Sequence, residues 1–169
     1  MATGTTLVSV EEYLASTHKP AYEYLEGILR EKPMPTSGHS RMEKRLSLLI
    51  DDRNCGYEAF PELTVRISRS RFLVPDIAVQ RTDDLQEPYP TRPVHLCIEI
   101  LSPEDRLADV VVKCDDYHRW GTPYCWIIDP EEKTCWEYHS GGRPHPVAEG
   151  GQISAGEISL ELDDVFASL

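Results

Sequence analysis

Long apolar runs are missing from this 169-residue chain. None comes near the ~20 residues that a membrane-crossing helix needs. The first residues, Met1-Ala2-Thr3-Gly4, do not pair a basic stretch with an apolar one, so export is not expected and the cytosol is the expected compartment. Paired cysteines are missing too. The five cysteines are Cys55, Cys97, Cys114, Cys125 and Cys135, and no two form a C-x-x-C unit. That pattern argues against a disulfide framework and against a zinc ribbon. Cys97 and Cys125 lie in apolar surroundings and read as small buried hydrophobes. Basic charge is scarce: 29 acidic residues against 17 Lys and Arg give a net charge of −12. Such a surface repels polyanions and argues against broad, non-specific nucleic-acid binding. Repeats and low-complexity stretches are absent, so one domain over 1–169 is expected.

What is present reads as alternating helices and strands. Ser9-Val10-Glu11-Glu12 has the form of a capping box ahead of a short helix that buries Val10, Tyr13 and Leu14. Residues 22–30 alternate about Glu26-Gly27, the pattern of a β-hairpin, and Pro33 and Pro35 end it. Met42, Leu46, Leu49 and Ile50 predict a helix over 37–53, with Gly56 as a stop. Strands are predicted over 58–67 and 71–80, antiparallel through the short link 68–70, and a proline-rich loop over 81–92. Residues 94–101 and 124–129 lack polar alternation and read as central strands. The helix between them, ending at Trp120 before Gly121, makes them a parallel pair with a right-handed crossover. Residues 135–139 should pair with 124–129. The tail reads mostly as loop, with an amphipathic piece around Leu160, Leu162, Val165 and Phe166.

Two carboxylates interrupt apolar strands: Asp76 within 72–79 and Glu99 within 94–101. A buried ionised carboxylate is costly without a cation, a hydrogen-bond network or a proton. Alternation puts Asp76 on a face with Phe72, Val74 and Ala78, and Glu99 with His95, Cys97 and Leu101. If the strands are neighbours, the two acids converge. Lys113 lies roughly 60° around the helix from Val110, at the border of the stripe Leu107, Val110, Cys114 and Tyr117. Its stem can lie on apolar surface while the amine reaches the sheet. Two acids and a lysine suit metal-assisted phosphodiester hydrolysis. The acids hold a hard divalent cation, Mg²⁺ or Mn²⁺, and the amine orients water or offsets developing charge. The competing reading is a structural network, with the acids satisfied by Arg or backbone groups and the lysine lying along the surface.

Pro75-Asp76 followed by Glu99 at the end of a buried strand resembles the PD-(D/E)XK nuclease superfamily. More closely, the chain resembles the Uma-type family of putative restriction endonucleases. The matching residues are Val10-Glu11-Glu12-Tyr13-Leu14, Tyr22-Glu23-Tyr24-Leu25-Glu26-Gly27, Gly38-His39, Val74-Pro75-Asp76, and Glu99 through Ser102-Pro103. They continue with Asp109, Lys113, Tyr117, Gly121 and Trp126-Ile127-Ile128-Asp129-Pro130. The resemblance spans nearly the whole chain in order. It implies an α/β fold with a restriction-endonuclease-like core, a central mixed sheet flanked by helices, and an N-terminal helix and hairpin. It implies a metal-dependent endonuclease acting on nucleic acid, DNA foremost, with Asp76, Glu99 and Lys113 catalytic and the Ile100 carbonyl assisting the acids at the metal. One position departs from the superfamily pattern. The motif lysine expected two residues after the glutamate is Leu101 here, and in the resembled family the following helix supplies it, which Lys113 fits.

Accessory positions have two readings each. Glu43 is either near the metal or on a solvated helix face beside Arg41 and Lys44. His39 is a substrate contact or a helix-terminal surface residue, and Glu62 a metal neighbour or a strand-edge charge. Asp109, one turn before Lys113, reads as its ion-pair partner, and Tyr117 as core. Arg66, Arg69 and Arg71, with Arg81, flank the strand that carries Asp76 and are the candidate nucleic-acid contacts. A homodimer would suit cleavage of a duplex. The charge of −12 keeps a second function open, a non-catalytic descendant of the fold used in protein interaction or assembly. A cysteine hydrolase built on Cys97 and His95 finds no further support.

Overall fold

The structure is a computed structural model that describes residues 7–17, 22–53 and 56–167. In chain order the elements are α1 (Val10–Ala15), β1 (Tyr22–Leu25), β2 (Ile28–Glu31), α2 (Ser37–Asp52), β3 (Tyr57–Pro61), β4 (Val65–Ser68), β5 (Arg71–Leu73) and β6 (Ile77–Arg81). They continue with β7 (Leu96–Ile100), α3 (Leu107–Trp120), β8 (Tyr124–Asp129), β9 (Thr134–His139), β10 (His145–Pro146), β11 (Gln152–Ala155), β12 (Ile158–Glu161) and α4 (Leu162–Phe166). The fold is mixed α/β. Its central six-stranded sheet runs β10-β9-β8-β7-β6-β3, and a four-stranded sheet runs β2-β1-β5-β4. Within the central sheet β7 and β8 are parallel and the other pairs antiparallel, so the sheet is mixed as expected.

The capping box at Ser9 and Glu12 forms, with both reciprocal hydrogen bonds. Helix α2 lays Met42, Leu46 and Ile50 on one face of the central sheet, against Ile77, Ile98 and Trp126. Helix α3 lays Cys114 and Tyr117 on the other, against Ala78, Cys97 and Ile127. A sheet covered on both faces explains why 96–100 and 124–129 lack polar alternation. Helix α3 stops at Gly121, whose φ of 117° belongs to the left-handed region. The four described cysteines are free and buried, and Cys55 lies outside the described residues. Among the described residues no helix is long and apolar enough to cross a membrane.

Three expectations about strands need correction. Residues 58–67 and 71–80 are not two continuous strands. The first breaks at Glu62, whose φ is 52°. The second breaks at Val74-Pro75-Asp76. Pro75 has no N–H to give a ladder. At these breaks the chain crosses from one sheet to the other: β3 and β6 belong to the six-stranded sheet, β4 and β5 to the four-stranded one. The tail is not mostly loop, since β11 and β12 form a hairpin that buries Ile153, Ala155, Ile158 and Leu160.

Candidate active site

The sheet crossing builds the site. Strands β6 and β7 pair with Ile77 opposite Ile98. One step further in that register brings Asp76 level with Glu99. On its other side β6 pairs with β3, with Pro61 opposite Ile77, and the next step joins the Glu62 N–H to the Asp76 carbonyl at 2.9 Å. Glu62, Asp76 and Glu99 therefore stand side by side across three strands. Asp76 and Glu99 are 4% and 6% exposed, yet both line a cleft of about 280 Å³ together with Glu23, Lys32, His39, Glu62 and Lys113.

Asp76 is held by three groups. Its Oδ2 accepts from the Ile100 N–H at 2.7 Å and lies 3.3 Å from His39 Nε2. Its Oδ1 accepts from Lys32 Nζ at 3.0 Å. Burial by itself would raise the pKa of this carboxyl. The His39 hydrogen bond and the Lys32 and Lys113 charges outweigh burial and hold it well below the usual range. Ile100, the residue after Glu99, thus supports Asp76 through its N–H.

Glu99 lies opposite in character. Helix α3 brings Lys113 Nζ to 2.9 Å from Glu99 Oε2 and, one turn on, the Tyr117 hydroxyl to 2.7 Å from Glu99 Oε1. Burial outweighs the Lys113 charge, and Asp76 adds to it, so the Glu99 pKa is pushed up to about 7. Lys113 also donates to the Val74 carbonyl at 3.0 Å and pairs with Glu23 Oε1 at 2.9 Å. Its own burial opposes charge, but Glu23 and Glu99 raise its pKa further. Lys113 pairs with Glu23 and Glu99 rather than with Asp109, so the i,i+4 reading of Asp109 is corrected. Buried acids attract the amine more strongly than an exposed one across a helical turn. Tyr117 is core, as expected, and also a site residue.

Two residues escape the sequence reading. Glu23 lies on β1, directly across the hairpin from Arg30, with which it pairs. It accepts from the Val74 N–H at 3.0 Å. Burial alone would raise its pKa. Lys113 and Arg30 outweigh that and hold it at about 2. Lys32 donates to Glu62 Oε2 at 2.8 Å and to Asp76. Of the accessory candidates, His39, 6% exposed, is no surface residue, and α2 brings it onto Asp76. Glu43, one turn on, keeps a buried Oε1 with no partner. Burial, with Glu62 and Asp76 nearby, raises its pKa. Arg66, Arg69 and Arg71 do not line the cleft. Arg66 donates to the carbonyls of Ser68 and Arg69, and Arg71 pairs with Asp116 and Glu26. Cys97 is no nucleophile here, because full burial drives its thiol pKa up.

Among the described residues no three His, Cys, Asp or Glu side chains form a ready cage for a metal ion. Mg²⁺ does not need one. It is commonly held by one or two carboxylates, with water and substrate phosphate completing its shell. Asp76, Glu62 and Glu99, all oxygen donors in a cleft, with the unpartnered Glu43 oxygen nearby, fit that mode.

A family model described as putative restriction endonuclease matches residues 10–165 of the sequence. Among solved structures, the crystal structure of a putative nuclease from Anabaena variabilis ATCC 29413 is similar, with a TM-score of 0.79 and 26% identity. The match covers 95% of this chain and 98% of that one. A cryo-EM structure of a DrdV–DNA complex aligns with a TM-score of 0.45 and 14% identity, covering 79% of this chain and 11% of that one. No match is found among curated proteins.

Proposed function

The chain belongs to the Uma2 family of putative restriction endonucleases, and on that premise we propose that it is a metal-dependent nuclease that hydrolyses phosphodiester bonds, with DNA as substrate. The observation that carries this reading is the convergence of Asp76 and Glu99 in one cleft, with Lys113 fixed on Glu99. Asp76 and Glu99, with Glu62 beside them, are the residues to hold Mg²⁺ or Mn²⁺. A bound divalent cation supplies Lewis-acid polarisation and charge neutralisation at the phosphate.

The chain's own residues divide the remaining work. Asp76 stays ionised at neutral pH and presents a fixed negative charge. Lys113 and Tyr117 orient the Glu99 carboxylate from α3, and Glu23 anchors Lys113 from the hairpin. Glu99, whose pKa is pushed up to about 7 before any cation binds, gives up its proton to hold the ion. Arg69, which is exposed, and the half-buried Arg66 and Arg71 are the candidate contacts to the nucleic-acid backbone outside the cleft. A two-fold dimer would place two such clefts on the two strands of a duplex.

The test is cleavage of plasmid and single-stranded DNA with Mg²⁺ or Mn²⁺, beside calorimetric titration of the same ions. Asp76→Ala and Lys113→Ala should each lower cleavage at least about 100-fold, the scale of losing a group aimed at transition-state charge. Cleavage at the parent rate by either variant rejects the assignment. Metal binding without cleavage of any nucleic acid would favour the non-catalytic reading that the charge of −12 supports.

A further inference from the structure

Two ammonium groups line the cleft, and they are held differently. An ammonium has three N–H donors. Lys113 commits all three, to the Val74 carbonyl, Glu23 and Glu99. One of those acceptors is main chain and cannot move away. Lys32 has two acceptors, Glu62 Oε2 at 2.8 Å and Asp76 Oδ1 at 3.0 Å, and both are carboxylates. They come from residues at the two strand breaks, joined by a backbone hydrogen bond that sets the two side chains next to each other. The Lys32 side chain is 13% exposed. It departs from the end of β2, just before Pro33, Met34 and Pro35, which are exposed. A single cation shared by carboxylates of neighbouring strands is also how a hard divalent ion is held.

We propose that Lys32 is a tethered cation that occupies the divalent ion's place between Glu62 and Asp76, and that the ion enters by displacing it. The inference rests on the metal-dependent reading given above. Lys113 does not take part in the exchange, because its carbonyl and two acids keep it seated. The exchange trades one positive charge for two, and an incoming phosphodiester balances the difference. Its signature is competition: the lysine weakens the affinity for metal alone and leaves a quiet site when metal is absent.

The test uses the full chain with ¹⁵N-labelled lysine. Shielded, hydrogen-bonded ammonium groups give their own NMR signals, and Lys32→Met identifies that of Lys32. On titration with Mg²⁺ the Lys32 signal should shift or vanish in step with calorimetric saturation while that of Lys113 stays. Mn²⁺ should bind Lys32→Met about tenfold or more tightly than the parent. Arg30→Met removes the same charge from the same cleft, away from Glu62 and Asp76, and should change affinity much less. The proposal is overturned if the Lys32 signal is unmoved at saturating Mg²⁺, or if Lys32→Met binds Mn²⁺ no tighter than the parent or than Arg30→Met. Metal binding with an unmoved Lys32 defeats this inference alone. No metal binding by parent or variant defeats it together with the metal-dependent reading.

Discussion

The Tyr117 hydroxyl donates to Glu99 Oε1 at 2.7 Å, one helical turn beyond the lysine that holds the same carboxylate. A residue on the buried stripe of α3 thus packs the core and holds a carboxylate of the candidate site. Tyr117→Phe keeps the ring in place and removes only the donor. The fold should lose about 1.5–3 kcal/mol, the usual worth of a hydrogen bond to a charged group. Urea unfolding measures this, and an unchanged midpoint would mean that the hydroxyl contributes nothing to the carboxylate.

On the metal-dependent reading, Glu99 should set the pH dependence of cation uptake. Its pKa is pushed up to about 7 by burial, and a carboxylate must lose its proton to hold a cation. Mn²⁺ affinity should therefore fall about tenfold per pH unit below 7 and level off above it, with one proton released per ion at acid pH. Calorimetry in buffers of different ionisation enthalpy counts that proton. Affinity independent of pH between about 5.5 and 8.5 would exclude Glu99 as a ligand.

Glu23 has the opposite linkage. Its folded pKa of about 2 lies below the ordinary 4.5, so the native state is favoured above 4.5 and the gain is lost as pH falls from 4.5 toward 2. The shift corresponds to a contribution on the order of 3 kcal/mol at neutral pH. Glu23→Gln should remove most of it and flatten the acid limb of the stability curve. Denaturant melts at several pH values would reveal a variant that keeps the parent's acid limb, and that result would remove Glu23 from the ion network.

Gly121 tests the scaffold apart from the chemistry. Its φ is 117°, and a Cβ there would lie 2.9 Å from Pro93 Cγ. Gly121→Ala should cost about 1–3 kcal/mol through backbone strain and that contact. The lowered melting temperature should come without a change in metal affinity of the folded fraction.

The fold and the centre of the candidate site are legible in the sequence for a shared reason. Met42, Leu46 and Ile50 on α2, and the unbroken apolar run of β7, are local patterns, and burial imposes them locally. Asp76 and Glu99 are visible because each violates such a pattern. Glu23 and Lys32 violate nothing. One sits in a polar-looking hairpin and the other in a Glu-Lys-Pro link, and their roles come from partners 44 and 51 residues away. The sheet crossing at Val74–Asp76 had a readable sign in Pro75, which a continuous strand would exclude. The break at Glu62 had none, since no glycine marks its positive φ. The β11–β12 hairpin was also within reach, through alternating Ile153, Ala155, Ile158 and Leu160 around Gly156.

The crossing between sheets has a kinetic consequence. Glu23, Lys32, Glu62, Asp76, Glu99 and Lys113 come from both sheets and from α3, and their contacts close loops of tens of residues. Closing such loops costs conformational entropy, which the packing of the elements themselves must offset. There is no local fragment of this site. A chain released only as far as β7 has Asp76 and Glu99 but no lysine on α3, and an opened chain scatters its acids into water. On the nuclease reading, the chemistry is tied to completion of the fold, and a nascent or partly unfolded copy should be inert.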